Sequence, residues 1–310
     1  MYFSLLVVNY NTESFIKQLL ESLQKQVLPA DKFEIILVNN VQNDTLANMI
    51  DQHNFNHYLQ IKLLQAQENL GFGRAMNLAA TEAVAEHFLI TNPDITIDNP
   101  NFLQDFYLAL QHDPHYGVAT CQILDNQGKD NSEFYYYGFN QTLGYDSQIC
   151  WFYGCFLSVR QQVFQQINGF DDDFFMYCED IDLCYRIKKM GLSFYKINSL
   201  QVHHVGNASE PNKDYAYYLR VNRSRFLFAY KHYDQPLFQA IVKKQKAKAK
   251  QVILKYKLLG MMKLLTPKRK AKLCNWQVIC DIIKDIERSK DTLYYFQDSH
   301  NSVVGKSGMV

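Results

Sequence analysis

Six carboxylates, Asp171, Asp172, Asp173, Glu179, Asp180 and Asp182, fall within twelve positions of the run GFDDDFFMYCEDIDLCYRIKKMG between Gly169 and Gly191. Phe170, Phe174, Phe175, Met176 and Tyr177 are interleaved with them. Solvated acidic runs do not normally alternate with aromatic residues. Carboxylates held against an apolar wall lose hydration and bind protons more tightly, which is how a chain makes a general base. Glu179-Asp180-Ile181-Asp182 opens a helix whose Leu183, Ile187 and Met190 form one apolar stripe and which Gly191 closes. The helix dipole alone favours acids in a first turn, and Asp182 can pair with Arg186 one turn on. Glu179 or Asp180 is left as the carboxylate with chemistry to do.

Three other groups carry possible chemistry. Asp94, in Asn92-Pro93-Asp94, follows a buried strand, where an oxygen ligand can hold Mg²⁺ or Mn²⁺; the same three residue types also make an ordinary turn cap. Gly71-Phe72-Gly73-Arg74 precedes a helix, whose free N–H groups and dipole attract a diphosphate. Met76 stands where a dinucleotide fingerprint needs its third glycine, and no P-loop lysine is present. Arg74 opposes the dipole, so its charge serves either an anionic ligand or a surface ion pair. His203 and His204 are adjacent on a strand and point to opposite faces, so at most one reaches a shared site.

These residues need a scaffold, and the first 110 positions describe one. FSLLVV (3–8), FEIILV (33–38), IKLLQ (61–65) and HFLIT (87–91) are continuous apolar strands. Between them lie helices marked by Phe15, Leu19, Leu20 and Leu23, by Leu46, Met49 and Ile50, and by Ala75, Leu78, Ala79 and Ala83. That alternation implies a parallel sheet with helices on both faces, and ligands bind beyond the carboxyl ends of such strands. The polar segments NYNT, NN, ENLGFGR and NPD all stand there. Further on, GVATCQIL (117–124), FYYYGF (134–139) and ICWFYGCFLSV (149–159) read as strands and VFQQING (163–169) as a short helix. Helices are expected over 215–233, 237–265 and 275–296.

A chain of 310 residues with 47% hydrophobic and 20% charged residues is globular. Its 21 Tyr and 21 Phe build a core and can also line sugar or nucleobase sites. Seven cysteines with no CxxC pair argue against a disulfide framework or a zinc site and for a reducing cytosol. The opening FSLLVV has no preceding basic residue and reads as a strand, not a signal peptide. No uncharged apolar run reaches about 18 residues, so no spanning helix is expected. Charge is segregated: residues 241–272 hold twelve Lys or Arg and no acid, leaving 20 basic and 31 acidic residues elsewhere, a net of −11.

Taken in order, VVNYN (7–11), ENLGFGRAMN (68–77), TNPD (91–94), YGCFLSVR (153–160), the acidic-aromatic run and VHHVGNAS (202–209) resemble glycosyltransferase family 2. These are inverting enzymes of GT-A fold that transfer a sugar from a nucleoside diphosphate donor. The resemblance runs from about Ser4 to Ser209, two thirds of the chain, and is similar to the rhamnosyltransferase-like branch, which builds bacterial surface polysaccharides. It implies an α/β GT-A domain over 1–212, with a mostly parallel, Rossmann-like sheet, a nucleotide-binding half (1–112) and an acceptor half (113–212). A basic helical module (213–298) and a flexible tail (299–310) would follow.

By position, the resemblance implies that Tyr10 stacks on the nucleobase while Asn9 and Asn11 shape its pocket. Asn39, Asn69, Gly71, Gly73, Arg74 and Asn77 join the donor-binding set. Asp94 would bind the divalent metal, Mg²⁺ or Mn²⁺, with Asn92 in place of the first acid of a DxD and one of His203 and His204 completing the site. Asp180 would be the general base, with Glu179 and Asp182 beside it. The family's second strand usually ends Val-Asp-Asn, its Asp reading a pyrimidine; here the residues are Val38-Asn39-Asn40. An Asn side chain offers a donor and an acceptor to a base edge.

The implied activity moves rhamnose or another hexose from a UDP- or dTDP-sugar to a growing glycan, which can be lipid-linked. Lys-rich helices with Val252, Ile253, Leu254 and Leu258 to Leu265 suit the cytoplasmic membrane surface, and no nucleic-acid partner is expected. A sugar nucleotidyltransferase is the enzymatic rival, but it needs a Gly-rich basic loop after strand one. A non-catalytic nucleotide-sugar or glycan-binding homologue is the other rival, and Asn39 is the departure that keeps it open.

Overall fold

The computed structural model describes residues 1–206, 212–262, 264–289, 292–293 and 295–297. The expected tail and the Asn207-Ala208-Ser209 end of the last motif lie outside the described residues. Two compact units form: Met1–Asp172 with Glu179–Ser209, and Asp173–Cys178 with Glu210–Val310.

The first unit begins with β1 (Phe3–Asn9), α1 (Glu13–Gln24), β2 (Phe33–Asn39), α2 (Thr45–Gln52), α3 (Phe55–Tyr58), β3 (Ile61–Gln65), α4 (Gly73–Thr81) and β4 (His87–Thr91). It continues with β5 (Ile95–Thr96), α5 (Phe102–Leu110), β6 (Tyr116–Leu124), β7 (Glu133–Phe134), β8 (Trp151–Phe152), β9 (Phe156–Arg160), α6 (Gln161–Gln166), α7 (Glu179–Lys189) and β10 (Ser193–His204). Eight strands make one sheet in the order β3-β2-β1-β4-β9-β6-β10-β5. Strands β3, β2, β1 and β4 are parallel, as are β6 and β10. β9 runs antiparallel to both β4 and β6, and β5 antiparallel to β10.

Both faces of the sheet are covered, which explains the unbroken apolar strands. Phe3, Leu5 and Val7 of β1 pack with α1, α2 and α5 in one core. Leu6 and Val8 pack on the other face with Ala75, Met76 and Ala79 of α4 and with Leu183 and Ile187 of α7. The expected mostly parallel α/β sheet with helices on both faces is therefore present.

Local readings differ in four places. IKLLQ lies at the sheet edge and Leu63 is exposed, because among the described residues no strand covers its outer side. On α1 the buried face takes Ile16 instead of Phe15. FYYYGF pairs only through Phe134; Phe139 and Asn140 have φ of 61° and 60°, which turns the chain out of any strand. ICWFYGCFLSV divides into β8 and β9 around Tyr153-Gly154-Cys155.

The second unit is helical: α8 (Tyr215–His232), α9 (Gln235–Met261) and α10 (Pro267–Arg288). α10 starts well before the expected position 275, because Thr266 caps it and Pro267 sits in its first turn, where proline is tolerated. Val278, Ile279, Ile282 and Ile283 of α10 and Phe238, Ile241 and Val242 of α9 are buried. Leu254, Leu258, Met261, Met262 and Leu264 remain exposed at the end of α9 and just beyond it. Among the described residues no helix is long and apolar enough to cross a membrane. All seven cysteines are free thiols.

Candidate active site

At the carboxyl ends of β1 and β2, two buried asparagines meet. Asn9 Nδ2 donates to Asn39 Oδ1 at 2.9 Å and to Glu13 Oε1 at 3.0 Å. Asn9 Oδ1 accepts from both the backbone N–H and the hydroxyl of Thr12, which fixes the NYNT turn; Asn11 adopts a left-handed φ of 56° within it. Asn39 Nδ2 donates in turn to Asn43 O and Gln65 Oε1. An Asp at position 39 could accept from Asn9 but could not make these two donations. Tyr10 is half-buried beside this network.

Asn40, absent from the expected set, knits the ENLGF loop to β2. Its Nδ2 donates to Asn69 Oδ1 and Gly71 O, and its Oδ1 accepts from Leu70 N–H. Asn77 is turned toward the acidic-aromatic run: it donates to Phe170 O and Asp172 Oδ1 and accepts from Phe170 N–H. Arg74 Nε donates to Asp172 O at 2.8 Å, a use that is neither of the two weighed from the sequence. Gly73 lets Phe170 approach, since a Cβ there would lie 3.1 Å from Phe170 Cβ.

Asp94 sits in the turn from β4 to β5. β5 pairs with the end of β10 so that His204 faces Ile95 across the ladder, which brings Asp94 and His204 together. His204 Nε2 is 3.3 Å from Asp94 Oδ1, and Asn92 Nδ2 is 3.5 Å from the same nitrogen. Gly206 N–H donates to Asp94 Oδ2 at 2.8 Å. Burial would raise the Asp94 carboxyl, but the His204 partner and the Gly206 N–H outweigh it and hold it below the ordinary aspartate range. His203 takes the opposite face, 3.5 Å from Asp98 and 43% exposed. It is not brought to Asp94.

The donors gathered here are a carboxylate, an imidazole and an amide. Asp94 Oδ1 and His204 Nε2 stand 3.3 Å apart, a carboxylate oxygen and an imidazole nitrogen that would both be able to hold one cation. A half-turn of the Asn92 amide would present its oxygen to the same point. No group of three or more His, Cys, Asp or Glu residues that could hold a metal ion stands together among the described residues.

Glu179 and Asp180 open α7 and are both buried. The residues just before the helix, Tyr177 and Cys178, have φ of 69° and 63°, a strained entry for non-glycine residues. Asp180 Oδ2 accepts from Gly154 N–H at 3.0 Å and Oδ1 from Ile181 N–H at 2.8 Å. The break between β8 and β9 makes the first of these contacts possible, and only glycine fits there: a Cβ at Gly154 would lie 2.6 Å from Asp180 Cβ. Burial pushes the Asp180 carboxyl up, the two backbone donors partly opposing it. Glu179 is pushed up by burial first and by the charge of Asp180 second, and its Oε2 has no hydrogen-bond partner among the described residues. Two adjacent buried carboxyl groups that repel each other share one proton rather than both ionising. Asp182 is fully buried and bonded to Arg186 Nε at 2.7 Å, while Arg186 also donates to Ile167 O and Gly169 O. Asp182 thus braces α7 against the preceding loop.

Tyr153 was not singled out from the sequence. Its ring lies edge-on to His204, with centroids 5.4 Å apart. Its hydroxyl is pushed up first by burial, then by nearby charges that include Asp180, Asp94 and Glu179. Its signals were the YGC interruption of an apolar run and its place at the head of YGCFLSVR.

The sequence profile of glycosyl transferase family 2 matches residues 4–183. The chain belongs to glycosyl transferase family 2. Rhamnosyltransferase WbbL of Escherichia coli (strain K12) is 25% identical over 268 residues, covering 78% of this chain and 93% of that protein. The N-acetylglucosaminyl-diphospho-decaprenol L-rhamnosyltransferase of Mycobacterium tuberculosis (strain ATCC 25618 / H37Rv) is 26% identical over 209 residues, 55% of this chain and 67% of that one. Among solved structures, the mannosyltransferase PcManGT from Pyrobaculum calidifontis, in complex with GDP-Man and Mn²⁺, aligns with a TM-score of 0.59 at 16% identity, covering 93% of this chain and 88% of that one. S. aureus TarS 1–349 in complex with UDP-GlcNAc aligns with a TM-score of 0.54 at 17% identity, covering 97% and 92%. At such identities the structures speak for the fold alone.

The family 2 member is therefore a glycosyltransferase of GT-A fold with a C-terminal helical extension, as the ordered motifs implied. Its resemblance to the rhamnosyltransferase-like branch holds. The matched span includes Asn9, Asn39, Asp94 and Asp180, while His204 and Gly206 lie beyond it.

Proposed function

We propose that this glycosyltransferase moves rhamnose or another hexose from a UDP- or dTDP-sugar to a growing bacterial surface glycan, with inversion at the sugar carbon. One observation carries the reading most: a buried, proton-avid Asp180 held by the N–H of Gly154 at a break in the sheet. Each of its oxygens accepts one backbone hydrogen bond and keeps a lone pair for an acceptor hydroxyl. A base with a raised pKa, within about 3 Å of that hydroxyl, takes its proton as the acceptor oxygen attacks the anomeric carbon. The bond from that carbon to the diphosphate oxygen breaks on the opposite face, and the diphosphate leaves with the bonding pair.

Asp94, His204 and the Asn92 amide would hold Mg²⁺ or Mn²⁺. When bound, the metal supplies Lewis-acid stabilisation of the departing diphosphate. The rhamnosyltransferase relatives support the sugar class, and the decaprenol-linked name of one of them supports a lipid-linked acceptor. The Asn9–Asn39 network and half-buried Tyr10 would receive the base, and the ENLGF loop ahead of α4 would receive the diphosphate. Exposed Leu254, Leu258, Met261, Met262 and Leu264 lie among lysines and arginines with no acid between 241 and 272, a pattern that would seat the helical module on an anionic membrane.

A screen of nucleotide-sugar hydrolysis with and without Mn²⁺ tests the proposal. UDP- or dTDP-linked hexoses should be consumed faster with the metal. No consumption of any nucleotide sugar, with no thermal shift from UDP or dTDP, would overturn it.

A further inference from the structure

The small sheet of β7 and β8 carries aromatic surface that the site above does not use. Phe134 and Trp151 face each other across it, their rings stacked 4.0 Å apart and within 10° of parallel. Trp151 Nε1 donates to Tyr136 O at 2.8 Å, which satisfies the indole's only donor and fixes the plane of this half-buried ring. Tyr135 and Tyr136 follow Phe134 and are 46% and 47% exposed. Large aromatic side chains left in solvent offer a surface that a flat apolar partner can cover.

Charged groups border these rings. Glu133, 26% exposed, is ion-paired with Lys196 at 3.2 Å. Its charge is the first cause that lifts the Tyr135 hydroxyl above its ordinary value. Aromatic faces beside a carboxylate and an ammonium suit a ligand with apolar faces and hydroxyl edges. A pyranose ring has that form: its C–H face lies on an aromatic ring while its hydroxyls bond to the charged groups.

The surface is also continuous with the proposed base. Phe134 meets Tyr153 edge-on at 6.4 Å, and Tyr153 in turn lies against His204. Trp151 is three residues from Gly154, whose N–H holds Asp180. Three residues of chain span no more than about 10 Å. A glycan whose terminal hydroxyl sits at Asp180 therefore brings its preceding rings within reach of Trp151.

We propose that Trp151, Tyr135 and Tyr136 form a subsite for the acceptor glycan, stacking on the pyranose rings that precede the accepting sugar; the inference rests on the transferase reading above. The chain has two tryptophans, Trp151 and Trp276, so fluorescence of Trp276→Phe reports Trp151 alone. Titration of that full-length variant with a rhamnose tetramer and an N-acetylglucosamine tetramer should change the emission for at least one of them. The matching monosaccharide should bind at least about tenfold more weakly, since one ring covers only part of the surface. In calorimetry with wild type, Tyr136→Ala should weaken the tetramer by about tenfold, and Trp151→Phe should weaken it less than Trp151→Ala. Circular dichroism checks that each variant is folded, and exposed Tyr136 keeps the test open if Trp151→Ala does not fold. No response to either tetramer, or unchanged binding in Tyr136→Ala, would overturn the subsite. A dimer in sedimentation that Tyr136→Ala abolishes would give the surface to a second copy of the chain and would overturn it as well. Wild-type nucleotide-sugar hydrolysis, which needs no acceptor, tells failure of this subsite from failure of the transferase reading.

Discussion

Asp180 and Glu179 are neighbours in the chain, yet their surroundings assign them different protonation. Asp180 has two backbone N–H donors to support its charge, whereas Glu179 Oε2 has no partner among the described residues and feels the charge beside it. Glu179 is therefore the group that keeps the proton. Its folded value is raised above the ordinary 4.5, so its contribution to stability is full below that value and is lost as pH rises through the folded value. Glu179→Gln cannot ionise and escapes that loss. Its melting temperature relative to wild type should climb from about pH 5 to about pH 9; a constant difference would show that Glu179 is not proton-avid. The histidines differ as sharply. His204→Ala should raise the Mn²⁺ concentration needed for half-maximal transfer by about tenfold, and His203→Ala, altering an exposed side chain, should leave it within about twofold. Only the alternation of a strand was legible for this pair. Which histidine faces inward depends on the β5–β10 ladder, formed by positions about a hundred residues apart.

At the scale of elements, the legible strands were those buried on both faces. FSLLVV, FEIILV and HFLIT are unbroken apolar runs because helices cover both sides of the sheet. FYYYGF looked equally strand-like, but left-handed residues at Phe139 and Asn140 turn the chain, and aromatic content alone does not reveal that. ICWFYGCFLSV concealed a break that matters more, because it delivers the Gly154 N–H to Asp180. The asparagine network was also hidden: Asn40 and Asn77 are loop-tying residues whose partners lie about 30 and about 95 positions away. Asn77 holds the loop ahead of α7 through three hydrogen bonds. Asn77→Ala leaves Phe170 N–H and O without that partner and should lower unfolding free energy by about 1–3 kcal/mol in urea titration. A change under about 0.5 kcal/mol would mean the loop is held by other contacts.

Across the whole molecule, charge is divided between an acidic body and a basic stretch from 241 to 272. The composition made that division plain, while the exposure of Leu254, Leu258, Met261 and Met262 required the structure, because Phe238, Ile241, Val242 and Tyr256 on the same helix are buried. Each basic side chain near an anionic surface contributes about 1 kcal/mol, screened by salt. Vesicles containing phosphatidylglycerol should therefore sediment the protein at low salt and release it near 0.5 M NaCl, where the Debye length has shrunk to about 4 Å. Neutral phosphatidylcholine vesicles should bind far less. Equal binding to both would remove charge from the explanation.

The central claim is that Asp180 takes the acceptor proton, and one substitution addresses it most directly. Asp180→Asn keeps the side chain's shape and one carbonyl oxygen but removes the base, so sugar transfer should fall by about two to four orders of magnitude while nucleotide-sugar affinity in the presence of Mn²⁺ stays within about threefold. Wild-type kcat/KM should also fall on acidification, with the limb above the ordinary aspartate value of 3.8, because burial raises the folded value and the base must be ionised. Transfer by Asp180→Asn at the wild-type rate, with the donor still bound, would contradict the account.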